Sequence, residues 1–296
     1  MRMIKSKQEK VLGVIGIVIM TIIIVLIIFP FILLFMSSIT DENTLLINGY
    51  SIFPKKINFQ AYKYIWNSKS TVLRAYLVTI CVTLIGTIVN VLITTMVSYP
   101  LSLADLPGKR VLTFFIIFTM LFNGGLVPTY MIYTNVLHIK NTYLALILPN
   151  LMFSSFNAII MRTYFSNTIP TEIYDAARID GASEFTIFGK IVIPLGKSII
   201  VTVSIFSGLN YWNDWMNGLY YISDQSKYSI QQMLNVMVKN IQYLTQYGHS
   251  SGTGEALPSI SLRMAIAFVA VIPILILYPF LQKYFESGVM LGAVKG

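Results

Sequence analysis

Charged side chains are scarce in this chain. Asp, Glu, Lys and Arg make up 11% of its 296 residues, against roughly 25% in an ordinary soluble domain. That is too few to solvate a water-exposed surface, so the solvent is read as a bilayer. Cysteine is nearly absent: Cys81 stands alone in an apolar block, which excludes an intrachain disulfide and a thiol metal site. His138 and His249 lie far apart with no H-E-x-x-H pattern, so metal catalysis has no ligand set. No catalytic constellation is present, and the chain is read as a non-enzyme. The net charge of +9 would suit a nucleic-acid binder, but the basic residues form no compact patch interleaved with aromatics. No nucleic-acid partner is expected.

What is abundant is apolar length. The chain is 55% hydrophobic, and charge-free blocks run over Val11–Met36, Ala75–Ala104, Val111–Leu137 and Met264–Gln282. Asn141–Met161 adds a fifth block, and Ser198–Asn213, continuing past Asp214 to Ser223, adds a sixth. Crossing a hydrocarbon core takes roughly 20 helical residues. An unpaired backbone amide in lipid costs several kcal/mol, so each block must be a helix. The expected fold is all-α: a polytopic membrane helical bundle of six transmembrane helices. Val11–Met36 follows a basic leader, as a signal peptide does. It exceeds a signal's ~7–15 apolar residues, and no A-x-A-like site follows, so it reads as an uncleaved first helix.

Loop charges set the orientation. With the N-terminus inside, the leader, the turn near 105–110, the loop 162–197 and the tail are cytoplasmic. Those segments hold 12 of the 21 basic residues, and the longer outer loops hold nine. Both termini are therefore placed in the cytoplasm. Residues 1–70 form the leader, first span and outer loop; 71–282 form the main membrane domain; 283–296 form the tail. Asn123-Gly124-Gly125 and Pro128 interrupt the third span, as broken helices lining transporter paths do; a kink or helix exit fits equally well. Ile230, Met233, Leu234, Met237 and Ile241 recur at helical spacing, predicting an amphipathic helix in the large outer loop 222–258.

The most informative stretch is Tyr174–Leu195, YDAARIDGASEFTIFGKIVIPL, in the loop between spans four and five. Pro170-Thr171 opens a helix, with Thr171 as N-cap and Glu172 and Asp175 near its positive dipole end. Gly181 stops that helix, being the residue best suited to a left-handed C′ position. Ser183 then caps a second helix that begins at Glu184, and Pro194 lies near its end. Ala176 and Ala177 are small enough to let another protein approach. Alone, the pattern also suits a solvated amphipathic connector.

The spacing goes further. Asp175-Ala176-Ala177, three residues, Gly181, nine residues, Ile191, one residue and Ile193-Pro194 resembles the EAA motif of ABC importer permeases. Asp175 replaces the usual Glu, and Ile193 the usual Leu. The tail QKYFESGVMLGAVKG, Gln282–Gly296, and the stretch Asn210-Tyr211-Trp212-Asn213-Asp214-Trp215 resemble the carbohydrate, maltose-type branch of that family. The resemblance covers roughly residues 70–296. It implies a type I permease with a cytoplasmic coupling helix that docks on an ATPase subunit. Tyr174, Asp175, Ala176, Ala177, Arg178, Gly181, Ala182 and Ser183 would form the docking segment, and Gly288, Gly292 and Gly296 would lie between ATPase subunits in an extended tail.

The same resemblance implies a second, different permease, two ATPase subunits and an extracellular binding protein as partners, in a bacterial cell membrane. ATP and Mg would be bound by the ATPase chains and no cofactor by this one. The cargo would be a carbohydrate, an oligosaccharide rather than a monosaccharide, moved by alternating access. Ile191–Ser198, IVIPLGKS, ends like a phosphate-binding loop but has Ile191 where the first glycine belongs. Candidate path residues are Asn123, Asn157, Asn210, Trp212, Asn213 and Asp214. Interface anchoring explains Asp214 equally well, and polar glue between helices accounts for most of the asparagines. An ion-coupled transporter or channel subunit is the competing reading. It suffers from the lack of mid-span acids, which such relays use.

Overall fold

The structure is a computed structural model that describes residues 7–247 and 259–293. The described chain is helical, and an isolated bridge pairs Thr40 with Ile57. It divides into two compact units, Met1–Lys69 with Val236–Pro273 and Ser70–Asn235 with Ile274–Gly296.

In the first unit, α1 (Lys7–Ser38) is apolar all round. Its stretch Val11–Ser38 has a mean hydropathy of 3.4, and residues 11–32 are exposed along their whole length, as suits a helix solvated by lipid. Short helices α2 (Glu42–Asn48) and α3 (Gln60–Asn67) follow. The Glu42 carboxylate accepts from the Ile260 and Ser261 amides at 2.8 and 3.0 Å. An acid at that position satisfies orphan donors and complements the helix dipole, and it caps the start of the last helix, here α15 (Ser259–Ala293). The rings of Phe35 and Phe268 pack 4.9 Å apart.

The second unit is organised around α4 (Lys69–Ser102), whose patterning is inverted relative to a soluble helix. Ala75, Thr79, Val82, Gly86, Asn90, Thr94 and Ser98 are buried, while Leu77, Leu84, Ile88, Leu92 and Met96 face outward. Lipid is as apolar as leucine, so association rests on close packing and hydrogen bonds. At Gly86 a Cβ would lie 2.5 Å from the Tyr211 ring, so only glycine lets α4 meet α12 (Lys197–Asn213) there. Asn90 accepts from Ser207 Oγ at 2.6 Å, and Ser98 donates to the Ala158 carbonyl at 3.0 Å.

The third apolar block is broken as its sequence suggests. Helices α5 (Lys109–Leu121) and α6 (Leu126–Met131) flank the Asn-Gly-Gly turn, and the axis bends by 110° across it. The fourth block differs from its predicted bounds. Instead of a helix over Asn141–Met161, the chain forms the single turn α7 (Leu144–Ile147), an irregular stretch, and then α8 (Ser155–Thr168). The physical reason lies in side-chain substitutes for helical hydrogen bonds. Tyr211 Oη donates to the Ile147 carbonyl at 2.9 Å, Asn217 Nδ2 to that of Pro149 at 3.0 Å, and Asn90 Nδ2 to that of Leu151 at 2.7 Å. Non-helical backbone at membrane depth is tolerated where protein groups satisfy it in this way.

The predicted amphipathic helix is present as α14 (Ile230–Tyr247), longer than its predicted span. The tail, expected to be extended, continues α15 as helix to Ala293 and so includes Gly288 and Gly292. Gly296 lies outside the described residues.

Candidate functional site

The loop after α8 folds as the spacing of its caps dictates. Helix α9 (Thr171–Ile179) begins one residue earlier than predicted: Pro170 holds the N-cap position and Thr171 is already helical. At its other end the Gly181 amide donates to the Arg178 carbonyl at 3.0 Å and the Ala182 amide to that of Ala177 at 2.9 Å. Those two bonds are the Schellman pattern. Gly181 sits at φ +79°, the left-handed region that disfavours any side chain. Ser183 Oγ then accepts from the Thr186 amide at 3.3 Å, capping α10 (Glu184–Ile187). The chain continues through Pro194 and bends by 81° into α12. A helix–turn–helix therefore stands between α8 and α12.

The structure sorts the eight loop candidates onto two faces. Tyr174 is 3% exposed, and it packs with Met161, Phe165, Ile187 and Val192 in one cluster. Ala177 and Ala182 lie against that same cluster, so they let the loop seat closely on its own bundle. Asp175, Ala176, Arg178, Gly181 and Ser183 are exposed. Two apolar residues that the motif spacing passed over join them at the tip: Ile179 is 86% exposed and Phe185 81%. Both are large apolar side chains left open to solvent within a charged loop. Their apolar character between Arg178 and Asp180, and beside Glu184, is the signal that could have found them.

Charge on the loop is organised around Glu184. Its Oε1 accepts from Arg178 Nε at 2.9 Å and its Oε2 from the Tyr99 hydroxyl at 2.5 Å. Arg178 also pairs with Asp175 at 3.3 Å. The hydrogen bond from Arg178, followed by that from Tyr99, lowers the Glu184 pKa below its ordinary value of 4.5. The carboxylate is thus held ionised at neutral pH. A cavity of about 460 Å³ opens beside this group, between the Pro100–Pro107 turn and α9.

The path candidates are dispersed. Asn123 Oδ1 accepts from the Gly125 amide at 2.8 Å within the third-span break. Asn157 is buried in the first turn of α8. Asn210 and Asn213 are exposed on α12, where Asn213 Nδ2 donates to the Leu209 carbonyl at 2.9 Å. Trp212 is buried. Asp214 Oδ1 accepts from the Met216 and Asn217 amides at 3.1 and 3.2 Å, capping α13 (Met216–Tyr221). The structure gives that carboxylate a local, helix-starting task.

With this geometry in place, the chain can be set beside known proteins. Residues 84–291 match the family described as binding-protein-dependent transport system inner membrane component. A polygalacturonan/rhamnogalacturonan transport system permease protein of Bacillus subtilis is 37% identical over 267 residues, covering 90% of this chain and 92% of the relative. An arabinooligosaccharides transport system permease protein of Halalkalibacterium halodurans is 27% identical over 273 residues, covering 91% of each. A solved chain of a bacterial ABC transporter involved in the import of the acidic polysaccharide alginate superposes with a TM-score of 0.79 at 27% identity. The superposition covers 96% of this chain and 99% of that one.

Proposed function

Because the chain belongs to the family of binding-protein-dependent transport system inner membrane components, a family of multi-pass transport subunits and not enzymes, we propose that it forms half of an oligosaccharide pathway through a bacterial cell membrane. Such a subunit works in a complex with ATPase and substrate-binding partners. The carbohydrate cargo is supported by the relatives, whose names specify polygalacturonan, rhamnogalacturonan and arabinooligosaccharides. In this reading the other half of the pathway is a second, different permease, and two ATPase chains bind the ATP and Mg. Both termini face the cytoplasm, as the distribution of basic residues favours.

The observation that carries the proposal is the loop at 169–196. It is a capped helix–turn–helix whose inner face is packed into the bundle and whose outer face presents Asp175, Ala176, Ile179 and Phe185. A lever needs both faces. ATP-driven closure of the partner changes the bundle only if the loop contacts differ between two states. The outer face supplies the contact and the seated inner face conveys it.

Co-purification of the ATPase with the complete importer tests this. Ile179→Asp and Phe185→Asp alter exposed side chains and leave the inner cluster intact. Each is expected to weaken ATPase retention by about tenfold or more, the effect of losing an interface hot spot, with oligosaccharide uptake falling in parallel. Full retention and full uptake in both variants would overturn the assignment of this loop.

A further inference from the structure

The loop touches α4 in a way that the coupling motif does not specify. Tyr99, near the inner end of α4, lies with its ring 5.8 Å from Tyr174 of α9 and 5.9 Å from Phe188, which follows α10. Its hydroxyl reaches out of this buried cluster to Glu184 Oε2. The other oxygen of Glu184 holds Arg178 of α9, and Glu184 is itself the first residue of α10. One carboxylate thus joins three elements. Around it the contact is open: the cavity of about 460 Å³ separates much of the Pro100–Pro107 turn from Thr171, Asp175 and Arg178. A force on α9 therefore reaches α4 through the packed Tyr174 and Tyr99 rings and through this hydrogen-bonded bridge.

We propose that Tyr99 is a positioning residue of this transporter, and that its hydroxyl, through Glu184 and Arg178, makes the coupling loop and the inner end of α4 move as one body. The proposal rests on the reading of the loop as the ATPase lever. It adds to that reading the member along which displacement passes into the membrane. The Tyr99 ring seats the loop, and the hydroxyl fixes its angle to α4. Coupling energy carried by a hydrogen-bonded link of this kind amounts to severalfold in rate or population.

The experiment uses the complete importer in proteoliposomes, with its partner permease, ATPase chains and binding protein. It measures oligosaccharide delivered per ATP hydrolysed. Tyr99→Phe keeps the ring in its cluster and removes only the link. Its expected signature is continued ATPase retention and hydrolysis, with delivery per ATP falling about threefold or more. Glu184→Ala should match it, and the double variant should be no worse than either single one, because both break the same link. Glu184→Gln, whose amide oxygen still accepts from Tyr99, should keep more of the ratio than Glu184→Ala. An unchanged ratio in Tyr99→Phe overturns the proposal, as does a parallel loss of ATPase and uptake at constant ratio, which marks a merely structural tyrosine. Failure of the wild-type assembly to couple uptake to ATP at all would instead sink the importer reading, a separate result.

Discussion

At the scale of single residues, the loop depends on backbone conformation and on one titrating group. Gly181 holds φ +79° with open space around its Cα, so a side chain there meets no clash and pays only for the left-handed backbone, about 1–2 kcal/mol. Gly181→Val is expected to speed hydrogen exchange of the α9 amides by roughly 5- to 30-fold, whereas Gly181→Asn, better tolerated in that region, changes it less. Glu184 sets a pH limit. Its pKa is lowered in the folded loop, so the stabilisation it contributes is complete above the free glutamate value and is lost as pH falls through the lowered one. Carbon-13 titration of Glu184 should give a midpoint below 4.5, moving upward in Arg178→Ala. Gly181 and Ser183 were legible from sequence because each fills a position that few residue types suit. The partnership of Tyr99 with Glu184 was not, because 85 residues separate them and neither type signals the other.

Elements were legible in proportion to how far lipid alone dictates them. A block such as Val11–Met36 must be helical because nothing else satisfies its backbone in hydrocarbon, and it is helical from end to end. The fourth block obeys the same rule by another route. Composition shows it to be apolar, but the donors that replace its helical bonds come from Asn90, Tyr211 and Asn217, which no local pattern reveals. Those donors are testable together. Asn90→Ala removes the donor to Leu151 and the acceptor for Ser207. A membrane hydrogen bond averages about 0.6 kcal/mol, up to ~1.7, so Asn90→Ala should destabilise the protein by about 1–3 kcal/mol for the two bonds lost, one to α12 and one to the stretch before α8. Reversible unfolding in detergent measures it. Asn217→Ala, which loses the single bond to Pro149, should cost less.

For the whole molecule, the same three donors carry a consequence for the order in which the protein is made. The carbonyls of Ile147, Pro149 and Leu151 leave the ribosome long before Tyr211 and Asn217 exist. At that moment only Asn90 is available, and each carbonyl left without a donor in hydrocarbon costs several kcal/mol. Residues 141–154 are therefore expected to reach their final conformation only when α12 and α13 arrive, and to stay until then outside the hydrocarbon or in water-filled space. In a Cys81→Ser background, a cysteine at Leu148 should react readily with a polar thiol reagent in chains truncated after Ser204. It should become protected once the chain extends beyond Tyr221. Equal protection in both lengths would mean that the segment finds its place unaided. Protection that appears only in the longer chain would mean that synthesis of this transporter includes a late step, in which its C-terminal half draws an earlier segment into the bilayer.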